Sequence, residues 1–202
     1  MASTPDHPST RKVQVIGTHY GEFQVDQLLA ISILLRTNKY KGYEIRRTRR
    51  NNFALIEEAE IAIEVGDEYD EGKLRFHSVD KRNLQTLRSL GIFDEFGRIR
   101  LSSGEIVADT QTVNPEEMLT VAGMVYKAFG RLMLKNVFGT TDELIIEDKF
   151  KRLYYALIYG VDTFTSNAGV VGYQISGNIH HRVLQRRFAN KATPSHHFFD
   201  DE

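Results

Sequence analysis

The sequence predicts an α/β domain in which helices flank a parallel sheet, and three observations carry the prediction. Short β-branched runs recur at VQVIG from Val13, YEIRRT from Tyr43 and IAIEV from Ile61, with room between them for crossover helices. The first run is followed closely by QLLAISILLR, Gln27 to Arg36, apolar at nearly every position as a helix packed on a sheet requires. After Pro115 the pattern turns helical, so the second half of the chain is expected to cover that sheet.

The 202 residues, 41% hydrophobic and 26% charged, are enough for one domain with a real core and argue against wholesale disorder. A net charge of -1 excludes a polycation that coats nucleic acid indiscriminately, so any such contact must come from local patches. The absence of cysteine removes disulfide partners, thiol catalysis and thiolate metal sites, and fits a reducing, cytoplasmic setting. No run reaches the roughly 20 apolar residues of a membrane span, and the polar opening MASTPDHPSTRK has no signal-peptide core. Residues 1–12 are therefore expected as a flexible tail, 13–180 as the domain, and 181–202 as a basic and aromatic tail.

In chain order, Val13 to Gln27 reads as a buried strand, a turn carrying Thr18, His19, Tyr20 and Gly21, and a helix entered near Asp26. Polar residues bunched where a parallel strand breaks are a natural ligand site. Gly42 closes the helix region, and YEIRRT alternates as a strand. Ala54 to Val65 reads as a short helix feeding a strand, and GDEYDEG as an acidic turn before the strand KLRFHSV. Leu84, Leu87, Leu90 and Ile92 suggest a short helix, and Ser102 to Pro115 a loop. Helices are expected at Glu116 to Val137, capped by Asn114 with Pro115 in its first turn, and at Asp142 to Tyr159.

The stretch IGTHYGEFQVDQLLA resembles the opening motif of the MYG1 family of DHH-like phosphoesterases, in which a Thr-His-Asn-Gly turn leads into Phe-His-Cys-Asp-Glu-Ala. EIRRTR, AEIAIEVGDEYD, VAGMVYKAFG and YGVDT are similar to later family segments in the same order, so the resemblance spans most of residues 13–180. It implies a DHH-phosphoesterase-like fold and a metal-dependent RNA exonuclease, with divalent ions held between His and Asp. Such ions lower the pKa of an attacking water and neutralise phosphoryl charge. The second domain that family members carry is expected to be absent.

Compared with that pattern, His19, Asp26 and Asp162 are retained, while Gln24 stands for a second histidine and Gln27 for an acid. Glu64 replaces an aspartate, and the Asp-His-His signature is reduced to His77, Ser78 and Val79. The implied two-metal centre is read as broken, leaving His19, Asp26, Glu64, His77 and Asp162 as relics and no cofactor. The alternative is one Mn²⁺ or Mg²⁺ held by His19, Asp26, Asp162 and either Glu64 or His77. Four of these relics also have a structural reading: His19 orienting its turn, Asp26 capping a helix, Glu64 solvated at a strand end, and Asp162 forming a turn.

Recognition is expected in two clusters. Arg46, Arg47, Arg49 and Arg50 suit phosphate, and Arg182, Arg186, Arg187 and Lys191 repeat the pattern near the C-terminus. Phe188, His196, His197, Phe198 and Phe199 supply aromatic anchors for RNA bases or a partner groove. The favoured reading is a catalytically degenerate, RNA-associated binding factor, with the ribosome as preferred partner and ribosome inactivation in dormancy as its fullest form. The rivals are a metal-dependent 3'-5' RNA exonuclease with an altered metal site, and a protein-only adaptor.

Overall fold

Residues 14–48, 53–78 and 84–167 are described by the computed structural model. Both expected tails, Arg49, Arg50, Val79 and every basic and aromatic residue named after 180 lie outside these residues.

Strand β1, Val15–His19, runs into helix α1, Val25–Leu35, and returns to strand β2, Glu44–Thr48, parallel to β1. Helix α2, Phe53–Glu58, leads to strand β3, Ile61–Ile63, which pairs parallel with the other side of β1. Strand β4, Arg75–Phe76, adds in parallel outside β3, so the sheet order is β2-β1-β3-β4. The parallel α/β expectation is met.

Successive strand residues face opposite sides, which divides the core. Ile16, Ile61, Ile63 and Phe76 join a large cluster with Ile33, Tyr126 and Phe129, on the face covered by α1 and a later helix. Ala62 instead packs with Ile56 of α2 and Val65. Gly17 lies on that second side, where an added Cβ would come within 3.0 Å of the Ala59 Cβ. Arg75 closes this side by donating from Nη2 to the Ile56 and Ala59 carbonyls at 3.0 and 3.2 Å, which satisfies the end of α2.

Downstream, the expected short helix is a single 3₁₀ turn, Leu87–Leu90, and Leu84 lies outside it, exposed. The expected loop contains strand β6, Ile106–Ala108, which pairs antiparallel with β5, Ile99–Arg100, just before it; both are too short for alternation to reveal. The next helix, α3, is Val121–Phe138 and starts later than Glu116. Residues 117–119 are committed elsewhere: Leu87 N donates to Glu117 O and Leu119 N to Gln85 O, both strand-like links. Asn114 accepts from Glu116 N and makes a turn rather than the cap.

Helix α4, Glu143–Leu153, is capped by Asp142, whose carboxylate accepts from Leu144 N and Ile145 N. Its rod continues through a π-helical segment, Tyr154–Ile158, into helix α5, Tyr159–Asn167, so Asp162 is helical and forms no turn. The reason is a buried stripe at strict four-residue spacing: Ile146, Phe150, Tyr154, Ile158 and Asp162. On an α-helix each such step overshoots a full turn by about 40° and winds the stripe off the core. A π segment turns less per residue and cancels much of that drift. Tyr126 stacks on Phe150 with ring centroids 4.5 Å apart, which locks α3 to the rod. Among the described residues no helix is long and apolar enough to cross a membrane.

Gly123 gives α3 its close approach to the rod, because an added Cβ would sit 2.5 Å from Asp162 Oδ2. Gly123→Ala should therefore lower stability by about 1–3 kcal/mol, although alanine is the better helix former. A raised urea midpoint in the variant would contradict this packing.

Candidate functional site

In the order β2-β1-β3-β4 the chain leaves β1 toward one edge and then crosses to the other, so the crevice outside the ends of β1 and β3 is the natural ligand site. His19 is the last residue of β1, and Glu64 follows the last residue of β3. His77 occupies the same place after β4. These three, with Tyr20 and Gln24, line a cleft of about 320 Å³. A larger hollow of about 400 Å³ lies between β5 and α4, but its polar groups already pair among themselves. There Asp148 accepts from Ser102, Lys151 donates to Arg100 O, and Arg100 meets Asp94.

The turn after β1 is held from several sides. Tyr20 N donates to Thr48 O at 2.6 Å, extending the β1–β2 ladder by one residue, and His19 Nδ1 lies 2.8 Å from Tyr20 O. With Nδ1 as donor to that carbonyl, Nε2 is left with the lone pair. Gln27, fully buried, accepts from Gln24 N at 3.2 Å and donates from Nε2 to Thr18 Oγ1 at 3.4 Å. Gln24, not Asp26, thus caps α1, with Gln27 reaching back to its backbone as a capping-box partner does.

Asp26 sits in the first turn, 3% exposed, and accepts from Gln27 N at 2.8 Å. Burial, followed by the charge of Glu64, pushes its carboxyl from 3.8 up to about 6. Glu64 has a positive φ of 55°, a conformation non-glycine residues rarely adopt. Its Oε1 accepts from Ser78 N at 3.1 Å, and its Oε2 lies 3.7 Å from His77 Nε2. Asp67, also at positive φ (50°), brings Oδ1 within 3.5 Å of the same nitrogen. Two left-handed residues in one short loop mark it as over-determined by its surroundings, as site loops often are. His77 is 1% exposed, and its Nδ1 has no hydrogen-bond partner.

Asp162 serves a different node. It accepts from Thr120 N at 3.0 Å, Thr120 Oγ1 at 2.6 Å and Tyr154 OH at 2.8 Å, joining the start of α3 to the rod. Burial pushes it up to about 7 against these bonds, which pull the other way. Among the described residues no three His, Asp or Glu side chains are grouped as a metal ion needs, so His19, Asp26 and Asp162 do not form the expected set.

The family model MYG1_exonuc, described as an uncharacterised protein family (UPF0160), matches residues 15–195. The chain belongs to this family. It is similar to a MYG1 protein of Caenorhabditis elegans, 27% identical over 85% of this chain and 45% of the relative. A MYG1 protein of Dictyostelium discoideum is 31% identical over 73% of this chain and 36% of its own length. The human protein named MYG1 exonuclease is 29% identical over 73% of this chain and 34% of its own. The chain thus spans less than half the length of each of these relatives. No solved structure matches.

Of the arginine run, Arg46 and Arg47 fall within the described residues. Strand alternation sends Arg46 and Arg47 to opposite faces. Arg46 pairs with Glu44 at 3.0 Å and Glu58 at 3.6 Å, while Arg47 folds over the turn and donates to His19 O and Gly21 O. The sequence reading missed Asp67 facing His77 and the contact of Arg47 with Tyr20 and Phe23. Gly66 beside Asp67 was the available signal for a tight loop there.

A carboxyl raised on folding makes the native state hold a proton that the unfolded chain has released. Between pH 3.8 and about 6 Asp26 therefore costs stability as pH rises, and above that the loss is complete. The full cost is on the order of 3 kcal/mol. Asp162 contributes a slope of the same sign up to about pH 7, so the comparison must be between variants. Asp26→Asn, whose amide oxygen can keep the Gln27 bond, should be more stable at pH 8 and show a shallower loss between pH 4 and 6. Identical pH–stability curves for the two proteins would contradict the assignment.

Proposed function

We propose that this chain is a nuclease-like nucleic-acid-binding protein, which takes a single RNA strand at the ends of β1, β3 and β4 and holds it without the family's two-metal chemistry. The observation that carries this reading is the commitment of the site's polar groups to the fold. Gln27 closes α1, Glu64 ties down Ser78, and Asp162 is consumed by Thr120 and Tyr154. The exonuclease names of the relatives support a nuclease-like origin for the cleft. RNA within a ribonucleoprotein, the ribosome included, is the partner class that accompanies the proposal.

A second reading, an exonuclease using one ion, is favoured by the proximity of Asp26 to Glu64 and by the unpartnered Nδ1 of buried His77. Mg²⁺ commonly keeps several waters and binds through one or two carboxylates, so such a site needs fewer protein ligands.

One pair of measurements separates the two. On the binding reading, a labelled single-stranded oligoribonucleotide binds in EDTA, and Mn²⁺ or Mg²⁺ produces no 3'-5' shortening above that of Asp26→Ala. Metal-dependent shortening that Asp26→Ala abolishes establishes the enzyme instead. Failure to bind RNA with or without metal overturns both.

A further inference from the structure

We infer that Tyr20, Phe23 and Arg47 form a stacking platform for an unpaired nucleobase at the mouth of the cleft, an inference that rests on the proposed binding of RNA there. The two rings lie on one short turn and are left open to solvent, Tyr20 at 68% and Phe23 at 38% exposure. Arg47 lies over both rings: its guanidinium carbon is 4.0 Å from the Phe23 ring centroid and 5.6 Å from that of Tyr20. Its Nε and Nη2 donate to His19 O and Gly21 O, so the cation is held against the turn instead of sweeping through solvent.

The support beneath the rings is equally fixed. Tyr20 N is tied to Thr48 O, and Gly21, at a φ of 128°, allows the chain to double back so that Phe23 returns beside Arg47. Tyr20 also lines the cleft with His19, Gln24, Glu64 and His77, so an occupant of the ring would be contiguous with an occupant of the cleft.

Size and chemistry select the occupant. A standard protein partner needs about 800 Å² on each side, whereas an aromatic side chain offers about 150–250 Å² even when wholly covered. Two part-exposed rings suit one or two bases. Unpaired bases stack on aromatic rings and on guanidinium planes, and the cation adds attraction to the neighbouring phosphates.

The test compares a single-stranded hexaribonucleotide with an abasic ribose-phosphate oligomer of equal length, titrated against the full chain in EDTA. The wild type should prefer the base-bearing oligomer by roughly 5- to 150-fold, the usual loss when one stacking ring is removed. Tyr20→Ala should lose that preference and Tyr20→Phe keep it. Tyr20→Trp would introduce the one indole of a chain that has no tryptophan. Its emission should be quenched by the hexanucleotide and not by the abasic oligomer. If the wild type and Tyr20→Ala bind the hexanucleotide equally and the indole stays bright, the platform is refuted while RNA binding stands. If the wild type binds neither oligomer, the binding function itself fails and the platform with it.

Discussion

The structure depends on one topological constraint, the parallel pairing of β1 with β2 on one side and β3 on the other. Right-handed crossovers that move in opposite directions across a sheet must place their helices on opposite faces. That is why α1 shares the large cluster while Ile56 of α2 joins the small one. Between the two departures, the ends of β1 and β3 are left uncovered. His19, Glu64 and Tyr20 are exposed to ligand by connectivity before any side-chain chemistry is considered.

Two buried carboxylates then show how the same chemical group serves different ends. Asp162 is surrounded by donors and works as a knot between helices. Asp26 has one backbone donor from Gln27 and a carboxylate near it, so its charge is poorly compensated at neutral pH. Folding stability is spent at such places when a site must remain ready for a positively charged or hydrogen-bonding visitor. Gln27 is the counterweight, since a neutral amide secures the same helix start without adding a second charge.

Much of this could be read in the sequence where periodicity was strong. VQVIG followed by QLLAISILLR located β1 and α1 within two residues, and alternation located β2. What failed was governed by long-range pairing. Residues 117–119 had the composition of a helix but were claimed by residues 85–87, and β5 and β6 were too short to carry a pattern. At the site, His19 was legible from the polar turn that follows the first strand and Glu64 from the family resemblance, whereas Arg47 was read as part of a charge run. Its contact with Phe23 needs the chain to turn at Gly21, which local sequence does not dictate.

The π-helical segment at Tyr154–Ile158 has a further meaning for how this fold can change. It acts as a phase adjuster, a place where one residue can be gained or lost while the helices on either side remain intact. Removing one residue there would rotate everything beyond it by about 100°, taking Asp162 off its donors without touching the sheet. Helix α3 is thereby joined to α5 through an adjustable register, so the angular setting of the buried acid can evolve separately from the residues that line the strand-end cleft.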